Sequence, residues 1–189
     1  MNLPLPGATG PAAGFDQPFE LLAGCHERVR RSLALLQRLV AHIAQHGIEA
    51  RGRSAAQDVL RYFDIAAPLH HQDEERHIVP QLQASDDARL QAIAAQMLAD
   101  HTRMGLDWAV LRQPLQAIVD AADGAEVDLP RLQQLADAFV ELHRPHLEIE
   151  DELAFPSVDL QVNEEARRAM GAEMAHRRGV KVPTSGSDK

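Results

Sequence analysis

Aromatic residues are scarce in this chain, 4% of 189, with one tryptophan and one tyrosine. Strands favour β-branched and aromatic side chains, so that scarcity, beside abundant Ala, Leu and Gln, argues for helices over sheet. The single cysteine, Cys25, excludes any intramolecular disulfide. No stretch approaches the roughly 18 consecutive apolar residues of a membrane span. Positive charge is short as well. Nineteen Lys and Arg against 28 Asp and Glu leave a net charge of −9, which repels a phosphate backbone and excludes a basic nucleic-acid footprint. The opening MNLPLPGATGPAAG has neither the positive charge nor the apolar run of a signal peptide. The expectation is a soluble chain of the reducing cytoplasm, with no membrane and no nucleic-acid partner.

With 45% hydrophobic residues, the chain is long enough to bury one sizeable core. Residues 1–16, rich in Pro, Gly and Ala, read as a flexible extension. From Pro18 to His46, Leu22, Val29, Leu33, Leu36, Val40 and Ile43 recur at the spacing of one helical face, and Gly47 is a stop signal. A second helix is expected from an N-cap at Ser54, and a third from Asp86 or Asp87 to about residue 121. A fourth opens at Leu129-Pro130 and ends near Pro156. These predict an all-α fold over 17–160, an antiparallel up-down-up-down four-helix bundle. Residues 161–189 add a short helix from Glu164 to Arg178, expected to dock on the bundle, and a polar tail. Pro68, Pro114 and Pro145 fall inside helices and predict kinks.

Ten histidines are the compositional oddity, and their positions carry the function. His70 and Glu74 form His-x-x-x-Glu, as do His146 and Glu150, which sets imidazole and carboxylate one turn apart on one helical face. Ten histidines and thirteen glutamates in 189 residues give fewer than one such pair by chance. Both copies continue six residues past the glutamate to a proline, Pro80 and Pro156. His26 lies 44 residues before His70, and His101 lies 45 before His146. The chain is thus a doubled helical hairpin whose copies each supply His, then His-x-x-x-Glu. All six residues fall in phase with buried apolar positions, where an unpaired carboxylate is costly. Metal binding removes that cost. Imidazole and carboxylate without thiolate suit iron or manganese, and two carboxylates able to bridge point to a dinuclear centre.

The pattern His26, His70-x-x-x-Glu74, His101, His146-x-x-x-Glu150 resembles the hemerythrin-like, HHE cation-binding family over roughly residues 18–158. The resemblance implies a non-haem di-iron centre, oxo- or hydroxo-bridged, with iron preferred to manganese. Glu74 and Glu150 would bridge, with His26 and His70 on one iron and His101 and His146 on the other. Oxygen carriers of the family place another histidine one turn after the third-helix ligand; here that position is Gly105, which implies a more symmetric and open site. The implied function is binding of oxygen, peroxide or nitric oxide for sensing, iron and oxygen handling or stress response. The alternative is a di-iron enzyme detoxifying peroxide or nitric oxide. A ferritin-like oxidase needs Glu-x-x-His on two helices of the bundle, and Glu74-x-x-His77 is the one match within the four bundle helices.

The remaining candidates read more plainly. His71 and Glu75 repeat His-x-x-x-Glu about 100° round the helix and are expected at the surface. His77 and His143 are expected at the rim of the site, and His42, His46 and His176 in solvent. Tyr62 reads as ordinary packing, Cys25 as inert burial, and Trp108 as core or pocket wall. Glu148, Asp151 and Glu152 read as a solvated face.

Overall fold

The computed structural model describes residues 14–180, and the described residues are helical with no strand. Most of the expected extension, residues 1–13, and the tail after residue 180 lie outside them. The first helix, α1, runs Pro18–His46. Gly47 ends it at φ 72°, a left-handed conformation that glycine adopts without a Cβ clash, and its N–H donates to the Ile43 carbonyl at 2.8 Å. The second run is composite: α2 (Ala50–Arg61), a π turn (Tyr62–Ala66), α3 (Ala67–His77) and α4 (Val79–Gln83). It starts five residues earlier than a cap at Ser54 predicts. Glu49 stands at the N-cap with its carboxylate turned to His42 and no capping bond to the helix, and Ser54 lies inside α2.

Helix α5 (Ala88–Asp120) is capped by Asp87, whose carboxylate accepts from the Arg89 N–H at 2.8 Å. Helix α6 (Leu129–Ile149) is capped by Asp128 and has Pro130 in its first turn. It passes into a second π turn (Glu150–Ala154) and then α7 (Phe155–Asp159). Asn163 caps α8 (Glu164–Arg177). The chain stays helical through Pro114 and Pro145. The backbone irregularity sits instead ahead of Pro68 and Pro156, each two residues after a π turn. A proline offers no N–H to the carbonyl four residues back and crowds it, so a widened turn at that point relieves the clash.

Helix α1 packs on α2 and α6, and α5 packs on the same two, which closes a ring of four. The two loops at one end meet where the Gly124 N–H donates to the Ile48 carbonyl at 2.9 Å. Apolar side chains form two separate buried clusters. One holds Val29 to Ile43 of α1 with Phe63, Leu111, Leu115 and Phe139. The other holds Phe19, Leu22, Ile78, Met97, Phe155 and Met174. Between them along every helix of the ring lies a polar layer: His26 between Leu22 and Val29, His70 and Glu74 between Ala67 and Ile78, His101 after Met97, and Glu150 before Ala154.

Candidate metal centre

The six residues of the doubled motif converge in that polar layer, and none is more than 6% exposed. Glu74 and Glu150 are fully buried. His26 Nε2 lies 3.5 Å from Glu74 and 3.2 Å from Glu150, while His101 Nε2 lies 3.4 Å and 3.8 Å from the same two carboxylates. His70 Nε2 is 3.1 Å from Glu74, and His146 Nε2 is 3.0 Å from Glu150, the one-turn contacts that each His-x-x-x-Glu sets up. Each glutamate therefore faces imidazoles from both halves of the chain.

These contacts leave the polar atoms unsatisfied. All four carboxylate oxygens, together with His26 Nε2 and His101 Nε2, have no hydrogen-bond partner. A buried unpaired carboxylate costs several kcal/mol, so two of them side by side demand a cation. Protons fill the role only partly. Burial opposes the charged form of His26, yet its bond to Asp151 and the nearby Glu150 and Glu74 carboxylates outweigh that and push its pKa up to about 11. His101 follows the same balance, against burial and through Glu150 and Glu74, to about 10. Burial alone tends to raise the Glu150 carboxyl, and the three imidazoles facing it hold it well below its ordinary value. Two sets of four donors lie within 4.8 Å of one another: His26, His70, Glu74 and Glu150, and His71, Glu74, His101 and His146. Donors of this kind at this closeness fit metal ions.

The profile of the hemerythrin HHE cation-binding domain matches residues 17–158. The chain belongs to the hemerythrin HHE cation-binding family. A relative in Haemophilus influenzae, an uncharacterized protein, is 27% identical over 169 residues, which cover 89% of this chain and 94% of that one. A chain of this cation-binding family thus carries a buried His/Glu cluster able to hold metal.

Around this HHE centre the structure corrects several expectations. Asp151, expected in a solvated face with Glu148 and Glu152, accepts from His26 Nδ1 at 2.7 Å and pairs with Arg30 at 2.5 Å. Glu75 is exposed, as expected, and also accepts from His101 Nδ1 at 2.9 Å. Asp100 Oδ2 stands 3.4 Å from His146 Nδ1. Acids at these positions hold the Nδ1 proton and turn Nε2 towards the centre, as partners of metal-bound histidines do. The signal was present in the sequence, since each motif glutamate is followed directly by an acid, Glu75 or Asp151.

His71, expected at the surface, is half-buried and stacks on His101, with ring centroids 4.1 Å apart and planes 7° from parallel. His143, expected at the rim, is buried at 2% exposure; burial lowers its pKa to about 4, and its Nδ1 donates to the Phe139 carbonyl at 2.8 Å. His77 pairs with Glu173 of α8 at 2.7 Å. Cys25 is buried as expected, and the Arg28 guanidinium donates to its sulfur at 3.0 Å. The Tyr62 hydroxyl reaches the Cys25 carbonyl at 3.5 Å. Trp108 lines a cavity of about 70 Å³ with Phe63, Gly105, Phe139, His71 and His143, which makes it the expected pocket wall.

One buried acid belongs to none of these sets. Asp73, adjacent to Glu74 and fully buried, is held by Arg177 and Arg178 of α8, the latter at 2.6 Å.

Proposed function

We propose that this protein holds two iron ions within an antiparallel, up-down-up-down bundle and binds a small ligand there. That ligand is oxygen, peroxide or nitric oxide, bound for sensing or for iron and oxygen handling in the cytoplasm. The observation that carries the reading is the buried layer of four carboxylate oxygens without hydrogen bonds, ringed by imidazoles from four helical runs. The meeting of the two hairpin loops at Gly124 and Ile48 supports the alternating direction of the helices.

In this reading His26 and His70 hold one ion, His101 and His146 the other, and Glu74 and Glu150 reach both. The absence of thiolate from the donor set favours iron, with manganese the competing first-row ion. A pair of irons supplies two electrons and a Lewis-acidic seat for a diatomic molecule or peroxide. The chain's own residues do the rest. Asp151, Glu75 and Asp100 keep the Nδ1 protons of His26, His101 and His146 and so fix which nitrogen faces inward. The cavity beside His71 gives a few-atom ligand an apolar approach through the wall that Gly105 leaves without a side chain. Its two imidazoles, His71 and His143, are both kept neutral at physiological pH, chiefly by burial. A wall without an acid at that pH favours ligand binding over turnover.

Iron loading of reduced protein without oxygen, followed by metal analysis and absorption spectra before and after air, tests the reading. Two irons per chain and a band that reverses on deoxygenation are expected. Two irons with steady consumption of added peroxide would establish the enzyme instead. Fewer than two bound ions in fully folded protein would refute the dinuclear centre.

A further inference from the structure

We infer that His71 is a further ligand of the ion held by His101 and His146, so that the two ions sit in chemically unlike sites. The inference rests on the dinuclear reading above and adds an asymmetry that the doubled motif conceals. Aligning the two halves pairs His26 with His101, His70 with His146 and Glu74 with Glu150. The same alignment pairs His71 with Leu147 and Cys25 with Asp100. Both substitutions favour one half.

Leu147 is 4% exposed and belongs to the apolar cluster, so its half gains no donor at this position. His71 faces the polar layer instead. Its ring lies against that of His101, with the His146 and His70 rings at 6.3 Å and 6.0 Å. One of its nitrogens is within 4.8 Å of donor atoms of Glu74, His101 and His146. Among the described residues no hydrogen bond occupies its ring nitrogens, which leaves one free to take an ion.

The second difference points the same way. Asp100 stands behind His146, whereas its counterpart Cys25 gives its sulfur to Arg28 and the His70 Nδ1 is left without a partner. With both glutamates shared, one side thus offers three imidazoles and the other two. An ion on the first side sees more nitrogen, so the two ions differ in affinity and in spectroscopic environment.

The test uses cobalt(II) as a paramagnetic probe in the full-length chain, with bound metal counted first. Exchangeable imidazole N–H signals shifted by the cobalt ions number one for each ligand histidine. Five are expected from His26, His70, His71, His101 and His146. His71→Ala and the volume-filling His71→Phe should each drop the count to four. Either should weaken one of the two cobalt affinities at least tenfold, the smaller end of the range for losing even an outer partner of a ligand, and leave the other unchanged. Added imidazole should restore the lost affinity in the alanine variant only. Four signals from the wild type with two cobalt ions bound would overturn the assignment of His71 and leave the dinuclear reading standing. Fewer than two bound ions in the wild type would remove that reading, and this assignment with it.

Discussion

Two arginines of α8 meet one fully buried carboxylate, Asp73, and that meeting sets a measurable stability. Replacing both, as Arg177→Met with Arg178→Met, keeps the aliphatic stems and removes both guanidinium groups. Asp73 is then a charge with no exposure and no cation. Breaking a buried pair from one side costs about 3–5 kcal/mol, a large part of the roughly 5–15 kcal/mol that holds an ordinary domain together. At a urea dependence of about 2 kcal/mol per molar, the midpoint should fall by about 2 M. The assay is urea unfolding of metal-free protein followed by helical circular dichroism, because bound metal would add its own stabilisation. Adding Asp73→Leu removes the stranded charge and should recover most of the loss, since an apolar replacement of a buried ion pair is often neutral. A double variant that loses less than about 1 kcal/mol, or a triple variant as unstable as the double, would refute the reasoning.

Three further outcomes follow from particular contacts. Asp151→Asn and Glu75→Gln should each lower metal affinity about 10–100-fold by weakening the hold on the Nδ1 proton of His26 or His101; unchanged affinity in chelator competition would show these acids to be incidental. In metal-free protein, the His143 pKa of about 4 against 6.5 means that the unfolded chain binds more protons between those values, so stability falls as pH drops through that window. The loss nears about 3 kcal/mol at its lower end, and His143→Phe should flatten that part of the acid unfolding curve; an equally steep curve would contradict it. A Cβ on Gly171 would lie 1.7 Å from the Phe15 carbonyl oxygen, so Gly171→Ala should cost about 1–3 kcal/mol and expose the chain ahead of Pro18 to protease; an unchanged melting temperature and cleavage pattern would refute that contact.

The six motif residues were legible because period and spacing alone place them, and the long helices because their caps and stops are strong local signals. Three local features were not. Helix α2 starts at Ala50 because the connection from Gly47 is short, and a tertiary constraint of that kind overrides the capping signal of Ser54. His71 was assigned to solvent from its 100° offset, yet a helix flanked on both sides buries an arc wider than that, and the offset turns His71 towards His101 on α5. Asp151 was assigned to a solvated face with Glu148 and Glu152, yet it lies in the π turn that begins at Glu150 and meets His26 of α1. Sequence symmetry also concealed a backbone difference. After Glu74 the helix breaks at Ile78 before Pro80, whereas after Glu150 a π turn leads to Pro156.

The π turn at Tyr62–Ala66 has a further consequence, for the tolerance of this chain to insertion and deletion. A π turn carries one residue more than the α turn it replaces, so losing a residue there would leave an ordinary α turn with α3 still in phase, whereas losing one within α2 would rotate α3 by about 100° relative to α2. That rotation would carry His71 and Glu75 to the azimuth now held by His70 and Glu74. Because HHQDEE spells the ligand motif twice, offset by one, the first half of the chain contains its own spare reading frame. The second half has none: one residue beyond His146 and Glu150 stand Leu147 and Asp151, and the same slip there would erase an imidazole.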